Sequence, residues 1–176
     1  SKVPFVKQLT NKLMSAAQRN GKIKTILNRK CRFPKYEPIL KGSDWGRFVP
    51  AQDHERMLEL QAMGPHVKDE EGEFVTDKDG NKQKNYWHEN GSRRAFTYKA
   101  LNKLIQGSAA DMTKRAMLDL YKEGITPHIQ IHDELDISVE SDAQADKIKT
   151  IMEDAVKLRI PNKVDYESGP NWGEIK

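Results

Sequence analysis

The sequence predicts an α+β fold in which an antiparallel hairpin packs on long helices. Apolar residues recur every three or four positions in residues 4–20 and again in residues 94–123, which is the periodicity of helices with one buried side. In residues 126–139 they alternate instead, on either side of a charged tripeptide. This pattern is typical of two strands joined by a tight turn.

The first half of the chain is predicted to contain two helices separated by an extended segment and a loop. The first helix covers residues 4–20 and ends at Gly21. Residues 22–33 are predicted to be extended, and a second, short helix covers residues 53–63. Four residues punctuate the loop between them: Pro38, Gly42, Gly46 and Pro50.

Within residues 66–92, segments 73–76 and 82–87 are predicted to form a β-hairpin whose turn, residues 77–80, is built on Asp79-Gly80. A calcium-binding loop that starts at Asp77 is the alternative, because oxygen-bearing side chains alternate there. It is disfavoured because Lys82 takes the sixth position, which needs glycine, and His88 takes the twelfth, which needs glutamate.

The long helix of residues 94–123 is predicted to end at Gly124. Strands over residues 126–131 and 135–139 follow, then a helix from Ser141 to about residue 159 and a last strand at residues 164–166. The long helix has a predicted buried stripe made of Leu101, Leu104, Ile105, Met112, Ala116 and Leu120.

Charge is distributed unevenly along the chain, whose net charge is +4. Residues 1–49 hold 12 lysines and arginines against two acidic residues, whereas residues 50–136 and 137–176 are net acidic. A solvated face is one interpretation of this excess, and a surface that contacts phosphates is the other. Clustering of the basic residues favours phosphate contacts, and the cluster consists of Lys22, Lys24, Arg29, Lys30 and Arg32.

Composition also excludes some classes of protein. Cys31 is the single cysteine, which rules out an internal disulfide and a zinc site built from several cysteines. We expect neither a membrane-spanning segment nor a secretion signal, since no apolar run is long enough for either. A reducing, intracellular location is therefore predicted.

Two patterns indicate chemistry. His132-Asp133-Glu134 falls at a hairpin tip, where a turn would favour Gly or Asn, so a role for charge competes with a simple solvated turn. On the long helix Asn102 and Gln106 form part of a polar row that begins at Tyr98, and small residues follow. Amide side chains can pair with base edges, whereas helix–helix packing would explain the small residues but not the polar row.

These segments resemble the family A DNA polymerases, a group that includes bacterial polymerase I and phage enzymes. Residues 94–111 resemble the palm helix that grips the primer–template minor groove, and residues 129–135 are similar to motif C. Residues 21–34 resemble the segment that follows the nucleotide-binding helix of the fingers, with Asn28 where glycine is usual. The ending Gly169-Pro170-Asn171-Trp172 is most similar to phage members.

The resemblance implies specific roles for residues of the tip and the helix. Asp133 would be a ligand of catalytic Mg²⁺, and Glu134 a carboxylate that supports the metal site. His132 and Gln130 would lie near the primer terminus. Asn102 and Gln106 would contact the minor groove, while Tyr98 stands where many relatives carry arginine.

The resemblance also implies a division into an end of the fingers (residues 1–93, with a variable hairpin insertion at about 66–92) and a palm portion (residues 94–176). The family's first metal-ligand motif and its helix for deoxynucleoside triphosphates are not found in this sequence. We therefore expect the chain to work with the remainder of the polymerase, in cis or as a separate chain, and to be inactive without it.

Two other functions compete with this hypothesis. A non-catalytic DNA-binding module could retain the palm surface without its chemistry. A metallohydrolase built on residues 132–134 is disfavoured because no histidine pair has metal-ligand spacing. The other histidines are scattered: His54, His66, His88 and His128.

Overall fold

The computed structural model describes residues 3–175, in which helices alternate with three two-stranded antiparallel sheets, so the α+β prediction is confirmed. The helices are α1 (Pro4–Asn20), α2 (His54–Ala62), α3 (Ala100–Lys122) and α4 (Asp142–Asp154). The sheets pair β1 (Lys22–Lys24) with β2 (Lys30–Arg32), β3 (Tyr36–Pro38) with β4 (Ser92–Arg94), and β5 (Ile129–Ile131) with β6 (Glu134–Asp136). Short 3-10 helices cover Gly42–Asp44, Thr97–Lys99 and Trp172–Glu174.

The described residues divide into two compact units. Unit 1 contains residues 3–24 and 28–104, and unit 2 contains residues 25–27 and 105–175. The division into fingers and palm at residues 93 and 94 stays a prediction. Among residues 3–175, no helix is both long and apolar enough to cross a membrane.

Helix α1 has the predicted bounds because its two ends carry strong local signals. Pro4 occupies the first turn, where its missing N–H costs nothing. Gly21 adopts a left-handed conformation (φ 66°), and its N–H donates to the carbonyl of Ala17 at 2.9 Å. Helix α2 begins one residue later than predicted, because Asp53 is its N-cap and accepts a hydrogen bond from the N–H of Arg56.

Helix α3 begins later than predicted, and the prediction of a helix from residue 94 is wrong. Residues 92–94 pair with β3 instead, and Phe96 has φ 61°, which a continuous helix does not allow. The predicted stripe is also wrong at Ile105, whose side chain is 59% exposed. Gly124 ends the helix in a left-handed conformation, as predicted.

Two apolar clusters hold unit 1 together. The first contains Ala17, Ile23, Phe33 and Ala100, and joins α1, the β1–β2 hairpin and the start of α3. The second contains Met57, Leu60 and Trp87, with Val49 packed against it. The predicted hairpin is confirmed by the bridge of Thr76 with Lys82, and its turn is closed by the hydrogen bond from the N–H of Asp77 to the carbonyl of Asn81. Residues 66 and 68, which were not predicted to pair, add one bridge to each strand.

Unit 2 is built around Leu120, Ile125 and Ile148, and Leu120 is fully buried. Helix α4 has the predicted N-cap, because the Ser141 hydroxyl accepts from the N–H of Gln144, but it ends at Asp154 rather than near residue 159.

Residues 164–166 form no strand, and the prediction of a strand there is wrong. The N–H of Val164 donates to the Glu153 carboxylate at 3.1 Å instead of to a neighbouring strand. This hydrogen bond is the main reason why the pKa of Glu153 is lowered.

Candidate functional site

The predicted turn at His132-Asp133-Glu134, here called the acidic tip, is confirmed as the end of the β5–β6 hairpin. Ile131 pairs with Glu134, so His132 and Asp133 form a two-residue loop. His132 has φ 54°, the left-handed region that favours glycine at the first position of such a loop. This conformation costs on the order of 1 kcal/mol, and such strain is typical of functional positions.

The two segments that flank the acidic tip differ in their packing: the one after it is anchored in the core of unit 2, and β5 before it is not. Leu135 and Ile137 pack against the core of unit 2, whereas Ile129 and Ile131 are exposed. The anchored residues follow directly after Glu134. Packing against the core of unit 2 therefore fixes the position of the backbone next to Glu134.

The two carboxylates of the acidic tip have no protein partner. Across residues 3–175, neither the Asp133 nor the Glu134 side chain makes a hydrogen bond or ion pair, and both are exposed. The side-chain amide of Gln130 donates to the carbonyl of His132 at 2.9 Å, which braces the loop. Two adjacent carboxylates open to water are the oxygen donors that Mg²⁺ takes in proteins together with water and phosphate, so the residues present fit this ion.

No larger metal centre forms in the part of the chain that the structure describes. Residues 3–175 contain no cluster of three or more His, Cys, Asp or Glu side chains arranged to hold a metal ion.

The polar row of the sequence lies along α3 and the turn before it. Asn102 and Gln106 are one helical turn apart and both are exposed, and the boundary between units 1 and 2 falls between them. Tyr98 is also exposed, and the Lys99 ammonium lies 5.6 Å from the centre of its ring. An aromatic ring with a neighbouring cation therefore occupies the position at which the resemblance implies an arginine.

The small residues that follow Gln106 allow close approach of another part of this chain. In unit 2 the N–H of Ile26 donates to the Ser108 hydroxyl at 3.1 Å, and the Thr25 hydroxyl donates to the Asp111 carboxylate. Thr25 and Asp111 are both buried. This contact was not predicted, and its one signal in the sequence is an acidic residue among the small and apolar side chains of residues 107–112.

The basic cluster divides between a strand pair and the loop that joins it. Residues 22–33 were predicted as one extended segment, but they fold back at residues 25–29. Asn28 has φ 66°, and asparagine tolerates this conformation better than most residues, which explains how it replaces glycine in the resemblance. Arg29 lies in the same loop and is exposed.

Four basic residues share one side of the β1–β2 hairpin, here called the basic face. Directly opposite residues of an antiparallel pair point to the same side, as do residues two apart on a strand. Ile23 and Cys31 are paired on the other side and pack into the first cluster of unit 1. The basic face consists of Lys22 opposite Arg32 and Lys24 opposite Lys30.

Like charges directly opposite each other destabilise a strand pair. All four side chains of the basic face are exposed, and no acidic group pairs with them among the described residues. A row of closely spaced cations without counter-charges is the arrangement expected of a surface that binds phosphates.

Comparison with known proteins shows the family to which the chain belongs. A family model described as DNA polymerase family A matches residues 1–174. The chain belongs to DNA polymerase family A. The resemblance drawn from the motifs is thereby confirmed.

Individual relatives from this family match different lengths of the chain. A DNA-directed DNA polymerase of Pseudomonas phage M6 is 33% identical over 172 residues, which cover 98% of this chain and 18% of that protein. DNA polymerase I of Geobacillus stearothermophilus is 42% identical over 86 residues, which cover 44% of this chain and 10% of that protein. The chain therefore spans less than a fifth of the length of these family A polymerases.

One solved structure overlaps most of the chain. It is the POL domain of Pol1 from M. smegmatis in complex with DNA primer-template and dNTP, with a TM-score of 0.49 and 21% identity. The overlap covers 89% of this chain and 20% of that one.

Proposed function

We propose that this chain forms part of a DNA-directed DNA polymerase, to which it supplies one metal-binding carboxylate and surfaces that hold the primer–template. The acidic tip is the observation that carries the proposal. A strained turn presents Asp133 and Glu134 to solvent, with no partner for either carboxylate among residues 3–175, and Leu135 anchors the strand that follows. A turn that served only to connect two strands would favour glycine at His132 and would not need two adjacent carboxylates.

The residues of the acidic tip take distinct roles in this proposal. Asp133 would ligate Mg²⁺, and Glu134 would support the same site. When bound, Mg²⁺ supplies charge stabilisation to the attacking and leaving oxygens of nucleotidyl transfer. Gln130 keeps the loop in place through its bond to His132, and both of these residues would lie close to the primer terminus.

The remainder of the polymerase completes the site in this proposal. Charge stabilisation by a pair of metal ions would need further carboxylates besides those of Asp133 and Glu134. The other carboxylate and the helix that binds deoxynucleoside triphosphates would come from the remainder of the enzyme, in cis or as a separate chain. The complete enzyme would work inside the cell, where its template is.

Primer extension tests the proposal directly. The 176-residue chain alone should not extend a primer, and a mixture with a polypeptide carrying the missing motifs should restore template-directed synthesis. The complementary polypeptide alone is the control, since it lacks Asp133. Synthesis by the 176-residue chain alone would contradict the proposal that its catalytic site is incomplete.

The basic face favours a second candidate function, a DNA-binding module without chemistry. The same reconstitution separates the two functions. A module would bind primer–template in the mixture but leave synthesis at the level of the complementary polypeptide alone. Restored synthesis would exclude this candidate.

Replacement of the two exposed amide side chains of α3 should weaken binding of the primer–template. Asn102→Ala and Gln106→Ala should each cost about 1–2 kcal/mol in binding, because each removes hydrogen bonds to acceptors of the minor groove. Discrimination against mispaired primer ends should fall more than affinity, since these acceptors report the shape of the base pair. Binding and extension of matched and mismatched primers by the reconstituted enzyme measure both effects.

Gln83→Ala is the matched control, because Gln83 is an exposed amide whose backbone alone takes part in the bridges of the unit 1 hairpin. It should leave affinity and mismatch discrimination unchanged. If the α3 variants instead reduce the salt dependence of binding and leave mismatch extension as it was, the amides contact phosphates rather than base edges.

A further inference from the structure

Residues 37–51 form a closed segment of unit 1, made of the last two residues of β3 and the loop that follows them, here called the aromatic loop. Its ends meet where Tyr36 and Gln52 exchange two backbone hydrogen bonds, of 2.7 and 2.9 Å. Loops of this length whose ends are joined are frequently functional, because a plain connection between elements is usually much shorter.

The aromatic loop is attached to unit 1 at several points. Val49 packs against the cluster that contains Trp87, and the N–H of Ile39 donates to the carbonyl of Gly91 at 3.1 Å. Lys84 donates a hydrogen bond to the carboxylate of Asp44, and this bond raises the pKa of the Lys84 ammonium. These contacts hold the loop in a defined position in unit 1.

Two large aromatic rings of this loop are nevertheless exposed to solvent. Trp45 is 80% exposed and Phe48 is 90% exposed, whereas the adjacent Val49 is packed inward. Burial of an aromatic side chain is among the largest stabilising contributions that one residue can make. A fold that partly buries the smaller side chain and leaves both rings in water keeps the rings available for a ligand.

The surroundings of the rings are positively charged. Both acidic residues of the loop are compensated, Asp44 by Lys84 and Glu37 by Arg93, whose Nε lies 2.8 Å from the carboxylate. Lys41 and Arg47 add two exposed cations close to the rings in sequence, and the Nε of Arg47 shares the Asp44 carboxylate with Lys84 at 3.5 Å. Aromatic rings between cations are the combination with which proteins hold unpaired nucleic acid, and an apolar protein partner would be disfavoured by the charge.

We propose that the aromatic loop is a binding site for single-stranded DNA, in which unpaired bases stack on Trp45 and Phe48 and the neighbouring cations neutralise phosphates. Bases within a duplex are already stacked on each other, so exposed rings offer them little. Every base has a π face, so binding should not depend on sequence. This site goes beyond the proposed catalytic function and uses none of its residues.

Binding of labelled DNA to the 176-residue chain, without divalent metal, tests the site apart from catalysis. Trp45→Ala and Phe48→Ala should each reduce affinity for an oligothymidylate of about 20 nucleotides by about tenfold, and the double variant by more. Affinity for a duplex of the same length should change by less than about twofold. The salt dependence of binding should be unchanged, because loss of stacking releases no counterions.

Two variants serve as controls in the same measurement. Trp172→Ala removes an equally large exposed ring outside the loop and should have no effect, and Trp45→Phe should retain most of the binding. Circular dichroism should be unaltered throughout, since the replaced rings are exposed. Single-strand affinity that survives in the double variant would overturn the proposal, and so would an equal loss on duplex. Neither result depends on whether primer extension can be reconstituted.

Discussion

Asp133→Ala is expected to reduce synthesis by the reconstituted polymerase by about a thousandfold or more. Loss of a metal ligand removes charge stabilisation from the transition state, and groups of this kind typically contribute several kcal/mol. Affinity for primer–template should be intact or slightly raised, because the substitution also removes an anion that faces phosphates. Single-turnover primer extension and equilibrium DNA binding measure the two effects separately.

Asp165→Ala is the matched control for this substitution, since Asp165 is an exposed aspartate in the same unit and makes no ion pair among the described residues. It should leave both rate and affinity unchanged. The exposed position of Asp133 predicts that its variant folds with a free energy of unfolding within about 0.5 kcal/mol of the parent. Near-normal turnover of the Asp133 variant would place the catalytic carboxylate elsewhere.

Neutralisation of the basic face is expected to weaken binding to duplex DNA of any sequence. With Lys22, Lys24, Lys30 and Arg32 all replaced by glutamine, the slope of log affinity against log salt should fall by up to about 3.6, or roughly 0.9 for each phosphate that the protein no longer neutralises. Affinity should therefore fall most at low salt. Titration of a labelled duplex at several salt concentrations gives this slope.

A second quadruple variant distinguishes the effect of the basic face on binding from the effect of net charge alone. Lys78, Lys114, Lys157 and Arg159 are exposed and have no ion pair within residues 3–175, so their replacement removes the same total charge from scattered positions. This control should change the slope much less. Equal slopes for the two quadruple variants would mean that the basic face is a solvated surface. Removal of cross-strand repulsion should also make the β1–β2 hairpin slightly more stable in the first variant.

Local signals in the sequence were sufficient for some elements of the fold. Pro4 and Gly21 fix the ends of α1 through backbone chemistry of their own, and the alternation around residues 132–134 gave the position of the hairpin tip. Family motifs gave the candidate residues of the site, whose roles stay predictions. Periodicity alone could not place the start of α3, since the left-handed conformation of Phe96 has no sequence signal.

Other features depend on contacts between distant residues and could not be predicted. The basic cluster was evident in the sequence, but its alignment on one face requires the fold-back at residues 25–29 and the register of β1 with β2. The predicted strand at Val164 was wrong because its N–H is taken by Glu153, which is 11 residues away. Likewise, nothing local distinguishes Val49, which packs inward, from Phe48, which does not.

The one-sided anchoring of the β5–β6 hairpin has a consequence for its local unfolding equilibrium. Among the described residues, β5 has a single hydrogen-bonded neighbour and no buried side chain, so it is held through β6 alone. An isolated two-stranded hairpin is marginally stable in water, and such segments open at a small free-energy cost. The arrangement that presents Asp133 is therefore one member of an ensemble. The apparent affinity of a ligand that needs this arrangement is its intrinsic affinity multiplied by the fraction of molecules in which the hairpin is closed. Any contact that covers β5 raises this fraction, and so strengthens binding without touching the ligand.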